Sequence, residues 1–321
     1  MIPTIGADGV ARRCAASILL AILLVTLRAG TASAGGTHPQ SFATPEEAVQ
    51  AFVAALRAHN TQALLAVLGS NARPLIDSGD KVADRESSDR FLHSYDEANS
   101  MVKSGDDKAV LQVGKDDWPF PIPLVKSQGG WRFDTDAGKQ EILDRRIGAN
   151  ELSAIQACLA YVDAQREYYQ RDPDHDALLQ YAEKFRSTPG KRDGLYWEAK
   201  PGEEESPLGP IFARATTAGY TMKGGRNPDP YHGYYYRILT AQGPDAPGGA
   251  YSYIAHGRMF GGFALVAYPA AWGKSGVMTF IVNHDGVVFQ KDLGPKTAAI
   301  AKKMKTFNPD STWTRVEGAT G

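Results

Sequence analysis

Residues 150–169, NELSAIQACLAYVDAQREYY, constrain the fold of this 321-residue chain more than any other stretch. Leu152, Ile155, Leu159, Val162 and Tyr169 recur at helical spacing, and Ala154, Ala157, Cys158 and Ala164 widen the apolar stripe. Asn150 has the chemistry of an N-cap, Glu151 suits the positive end of a helix, and Gly148 reads as a break before them. A helix with one apolar face must bury it. Strand signals at 233–240, 262–268, 277–283 and 287–291 follow, with short hairpin turns at 273–276 and 283–286, and supply the nearest partner.

The start of the chain has the plan of a secretory leader. Arg12 and Arg13 precede an apolar core at 15–27, and Ala32-Ser33-Ala34 offers the small residues of a cleavage site. That core is too short for the roughly 20 residues that span a bilayer, so the expectation is an exported protein, periplasmic or extracellular, without a stable membrane anchor. Cleavage after Ala34 removes three basic residues and one acid and leaves only Cys158, so an intramolecular disulfide is excluded. The net charge of −1 for the whole chain includes no basic run, which excludes sequence-independent nucleic-acid binding.

After a lead-in at 35–43, Thr44-Pro45-Glu46-Glu47 carries a capping box and a proline suited to the first helical turn. It predicts a helix through Leu56 that buries Val49, Phe52, Val53 and Leu56, then a second helix to Leu68 capped by Asn60 or Thr61. Residues 70–97 are polar, with Phe91, Leu92 and Tyr95 marking one short helix. Strands are predicted at 100–103, 108–114, 120–126 and 130–135. Prolines at 119, 121 and 123 remove N–H donors, so that segment belongs at a sheet edge. A charged, Gly/Pro-rich loop at 190–210 and a short basic helix with a polar tail at 295–316 complete the pattern. The fold class is α+β, with units at 44–147 and 148–294 and a tail at 295–321.

Three resemblances rest on these residues. Helices followed by a curved antiparallel sheet closing on GGWRFDT resemble the nuclear-transport-factor-2-like cone, which implies a cavity able to hold small apolar molecules. NELSAIQACLAYVDAQREYYQ, HGYYYRILT and GGFALVAYPAAWGKSGVMTFIVNHDGVV are similar to the helix and sheet of type IV pilins and pseudopilins, although the polymerising N-terminal helix does not adjoin them. Taken whole, with GDDKAVLQVGKDDWPFPIPLV, RRIGANEL and MTFIVNHDG, the chain resembles the bacterial exported family called domain of unknown function 2950, which brings no assigned activity.

Asp172, Asp174, Asp176 and Glu183 stand at positions 1, 3, 5 and 12 of an EF-hand-like loop, a spacing that can converge on calcium. Ala177 stands where glycine is wanted. The alternative is that Pro173 ends one helix while Asp174 or Asp176 caps a second, DALLQYAEKF. No other cofactor is suggested. Gly273-Lys274-Ser275 lacks the earlier glycine of a phosphate loop, because position 268 is Tyr268. The histidines lack zinc-site spacing, and no nucleophile elbow is present, so no catalytic residue is assigned. Asp106-Asp107 and Asp116-Asp117 read as solvated loop charge, and Cys158 reads as a small buried hydrophobe. Tyr234, Tyr235, Tyr236 and Trp118 are the candidate interaction residues, set against cross-strand packing.

The leading expectation is a non-catalytic interaction or assembly protein of the cell envelope, partnered by an envelope or secretion-system protein. One alternative is ligand binding or catalysis in the first unit, and another is calcium-stabilised structure. A deep cone with a buried carboxylate favours a ligand; a cone plugged by Trp118, Trp131 and Phe133 favours a scaffold.

Overall fold

The computed structural model describes residues 38–173, 177–221 and 229–320. Helix α1 (Pro45–Arg57) starts where the capping box places it: the Glu47 N–H donates to Thr44 Oγ1 at 3.1 Å, and the Ala43 N–H donates to the Glu47 carboxylate. Asn60 caps α2 (Thr61–Leu68) by accepting from the Ala63 N–H. A short α3 (Arg73–Ile76) follows. The polar stretch after it holds a 17-residue helix, α4 (Lys81–Glu97), rather than one short turn around Phe91. Its start is set by Asp80, and no side chain on it is fully buried, so periodicity understates its length.

An antiparallel sheet packs on these helices in the order β1 (Asn99–Ser104), β2 (Lys108–Val113), β4 (Leu124–Ser127), β5 (Gly130–Phe133). The proline-rich strand β3 (Trp118–Pro119) pairs only with β2, at an edge. The strand predicted from residue 120 begins four residues later, because Pro121 and Pro123 have no N–H to give a ladder. Val49, Phe52, Val53 and Leu56 are buried together with Leu111, Leu124, Trp131 and Phe133 in the first core.

Helix α5 (Thr135–Arg171) is one unbroken rod of 37 residues. Gly148 is not a break and Asn150 is not a cap. A glycine inside a helix costs only about 1 kcal/mol, which packing at both ends offsets. Asn150 lies buried in mid-helix, where its Nδ2 donates to Ser275 O at 2.8 Å; Glu151 Oε1 accepts from the N–H groups of Val277 and Met278. The two residues that resemble helix-start chemistry therefore clamp a distant hairpin. Ala154, Cys158 and Val162 are fully buried, whereas Leu152, also in the apolar stripe, is 66% exposed.

Beyond α5, the helix expected from DALLQYAEKF does not form. Tyr181 bridges Met259 instead, and the buried Gln165 amide holds Ala182 by both backbone groups, at 2.7 and 2.8 Å. The amide thus does for Ala182 what a neighbouring strand would do. Next come α6 (Gly209–Thr217), unmarked in the sequence pattern, and β6 (Tyr234–Leu239). Short strands β7 (Ala241–Gln242), β8 (Tyr251–Ser252), β9 (Ile254–Ala255) and β10 (Arg258–Met259) lead to β11 (Ala264–Pro269), β12 (Met278–Asn283) and β13 (Val287–Asp292). The end of the chain is α7 (Thr297–Lys303), β14 (Thr306–Phe307) and β15 (Thr314–Thr320).

The main second sheet runs β15-β13-β12-β11-β6, antiparallel throughout, with α5 across β11–β13 and β15. The expected polar tail is thus an edge strand, for which backbone pairing with β13 suffices. A smaller sheet, β14-β7-β8, contains the parallel pair β14–β7. The class is α+β with open sheets. Residues 35–321 cluster as one compact unit that contains two hydrophobic cores. Among the described residues no helix is long and apolar enough to cross a membrane.

Candidate functional site

Asp80 organises the wall of a groove in the first half. Its Oδ1 accepts from the N–H groups of Val82 and Ala83, which starts α4. Its Oδ2 accepts from Tyr220 OH at 3.0 Å and from the Gly233 N–H at 2.7 Å, both in the second half. Only 1% of Asp80 is exposed, so one buried carboxylate ties the start of α4 to Tyr220 and Gly233. Gly233 takes φ +74°, and a Cβ there would stand 2.5 Å from Asn150 Nδ2; the close approach requires glycine.

Between α1, α2, α4 and the start of α5 lies a groove of about 610 Å³. Phe52, Phe91 and Phe120 form its aromatic floor, with ring centroids 5.3–5.5 Å apart. Trp131 and Phe133 sit in the core beneath and do not line the groove, so they do not plug it. Trp118 lines it while remaining 37% exposed, with the Arg145 guanidinium 5.4 Å above its ring.

Charged side chains also line the groove: Asp77, Lys81 and Arg85, and the opposed pair Asp84 and Arg146. Arg146 Nη1 donates to Pro74 O at 2.8 Å and Nη2 to Leu75 O, and the guanidinium approaches Asp84 Oδ1 only to 4.0 Å. Asp84 Oδ2 accepts from the Ser78 N–H at 3.0 Å, and the Ser78 hydroxyl also bonds to the carboxyl. Burial holds the Asp84 carboxyl above its ordinary range, against the bonds from Ser78 and the charge of Arg146. Burial also lowers the pKa of Arg146, with Asp84 and Asp77 opposing. The site is thus a largely apolar trough with a half-buried carboxylate in its wall. Neither residue is marked by a motif; they sit 62 positions apart, and only the fold joins them.

The tyrosines predicted for interaction converge elsewhere. Tyr234, Tyr235 and Tyr236 on β6 line a second cavity, against α5 and α6. Tyr234 is itself fully buried and donates to Met278 O. The structure therefore does not bring Trp118 and the tyrosines together.

Of the calcium candidates, Asp174 and Asp176 lie outside the described residues. Asp172 ends α5 in the left-handed region, its Oδ2 accepting from the Ala177 N–H, and Glu183 is exposed on a non-helical segment. Among the described residues no three His, Cys, Asp or Glu side chains are grouped to hold a metal. Asp106, Asp107, Asp116 and Asp117 are exposed in loops. The Gly273-Lys274-Ser275 segment is a turn in which Ser275 Oγ bonds back to both backbone groups of Ala271. Complete burial pushes the Cys158 thiol up to about 12, which removes it as a nucleophile.

Residues 39–316 match a family described as protein of unknown function (DUF2950). No curated protein and no solved structure matches the chain.

Proposed function

The chain belongs to the DUF2950 family, whose description assigns no activity, and we propose from the groove that it is an exported, non-catalytic binding protein of the bacterial envelope. Its ligand is a small apolar molecule that carries a hydrogen-bond-donating hydroxyl. The observation behind this reading is the half-buried Asp84 carboxylate, set in the wall of a largely apolar trough. A hydroxyl suits that carboxylate better than an ammonium group, because Arg146 stands 4.0 Å away and repels a cation. The cone-like first half and the pilin-like second half belong to the same proposal: one holds the ligand, and the other presents the protein to its partners.

Calorimetric titration with naphthol and with methoxynaphthalene, which keeps the rings but has no donor, tests the idea. Naphthol should bind more tightly by about 1 kcal/mol, the size of one net hydrogen bond. Asp84→Leu should abolish that preference without abolishing apolar binding. Equal affinity for both compounds in the wild type rules the hydroxyl out.

Contact with another envelope protein is a second reading, favoured by Leu152, a large apolar side chain exposed on α5. A photo-crosslinking residue at position 152 should capture one discrete partner in intact cells. Capture no different from that at an exposed polar position such as Asp163 argues against it.

A further inference from the structure

The second cavity, of about 360 Å³, is bounded by Ala157 and Tyr161 of α5, Phe212 of α6 and the tyrosines of β6. Its size falls within the range of small-molecule sites. Several of its polar groups are engaged. Tyr161 OH donates to Ala264 O and Tyr234 OH to Met278 O, while Asp229 at the rim accepts from Thr221 Oγ1. Arg186, also at the rim, is the one cationic side chain among the described residues that line the cavity. Its guanidinium lies 5.1 Å from the centroid of the Tyr196 ring, which in turn stacks on Phe212 at 4.0 Å. It has no carboxylate or other hydrogen-bond acceptor among the described residues.

An aromatic-walled hollow holds flat apolar bodies by area and by ring contact. A guanidinium held over an aromatic ring beside the opening, with no ion-pair partner among the described residues, supplies the complementary charge for one kind of head group. We infer that this cavity is a second binding site, distinct from the groove, for a small amphiphile with a planar apolar body and a carboxylate or sulfonate head at Arg186. The Asp84 groove selects a donor, whereas this site selects an anion.

Two fluorescent probes with the same ring system separate the contributions: neutral phenylnaphthylamine and its anionic relative anilinonaphthalene sulfonate. Both should bind the wild-type protein, and Arg186→Gln should weaken the anion by roughly fivefold, the upper range for an exposed ion pair, while leaving the neutral probe unchanged. Ala157→Phe should fill the hollow and remove binding of the anionic probe. Should that variant fail to fold, photolabelling of wild-type protein with azidonaphthalene sulfonate gives an independent answer, with label expected on Tyr231, Tyr235 or Ile211. Label confined to Phe91 or Trp118 overturns the inference, as does equal loss of both probes on Arg186→Gln. A folded Ala157→Phe protein that still binds the anion at wild-type affinity overturns it as well.

Discussion

Helices α4 and α5 both reach across the molecule, and they are held in opposite ways. The 17-residue α4 has no fully buried side chain, leans on the first core through Phe91, Leu92 and Tyr95, and is fixed at its N-terminus by Asp80. The 37-residue α5 is held along its side, with Ala154, Cys158 and Val162 sealed against the second sheet. A helix held along a face is specified by its own periodicity, but one held by its end is specified by a partner far away in sequence. That difference also explains the groove. Because α4 does not press fully into the core, space is left beside it for Asp84 and the aromatic floor.

The comparison is broken most severely at Asp80. Asp80→Ala leaves Tyr220 OH and the Gly233 N–H without their acceptor and strips α4 of its cap. The expected loss is about 3–5 kcal/mol by denaturant unfolding. If the loss stays below about 1 kcal/mol, the polar tie is incidental and α4 is held by its side after all. A smaller effect of the opposite sign is expected at Gly148, where an added Cβ meets nothing within 4 Å. Gly148→Ala should stabilise the protein by about 0.5–1 kcal/mol if α5 is continuous. A loss of stability there would restore the break that the sequence suggests.

The smallest and most diagnostic effect concerns pH. Burial raises the Asp84 carboxyl above its ordinary value of 3.8. A raised carboxyl contributes stability that is complete below that value and is lost as pH rises through the folded-state pKa. Asparagine carries no charge and still accepts from Ser78. Asp84→Asn should therefore match the wild type in acid and exceed it at neutral pH, as read from melting temperatures across that range. The opposite trend would mean that Arg146 holds Asp84 ionised.

Legibility in the sequence followed the same division. Thr44 with Glu47, and Asn60, announced α1 and α2 because caps are local, and the apolar stripe of α5 pointed correctly to the later sheet. Local chemistry misled where tertiary contacts claimed the same groups. Asn150 and Glu151 look like a helix start, yet Ser275, Val277 and Met278 take their side chains. DALLQYAEKF has helical composition, but Gln165 captures the Ala182 backbone that a helix would have used. The groove was least legible of all, since Asp84 lies in a polar run and no motif marks Arg146.

The unbroken course of α5 between the two cores has a consequence for how such a chain can diverge. Inserting one residue near Gly148 would turn everything beyond it by about 100° and push it along by about 1.5 Å. Either Leu143 or Cys158, both buried on this helix, would lose its seat. Loops elsewhere are free to lengthen, but this shaft has a fixed gauge, and a gain or loss of length within it would be tolerated only near whole turns.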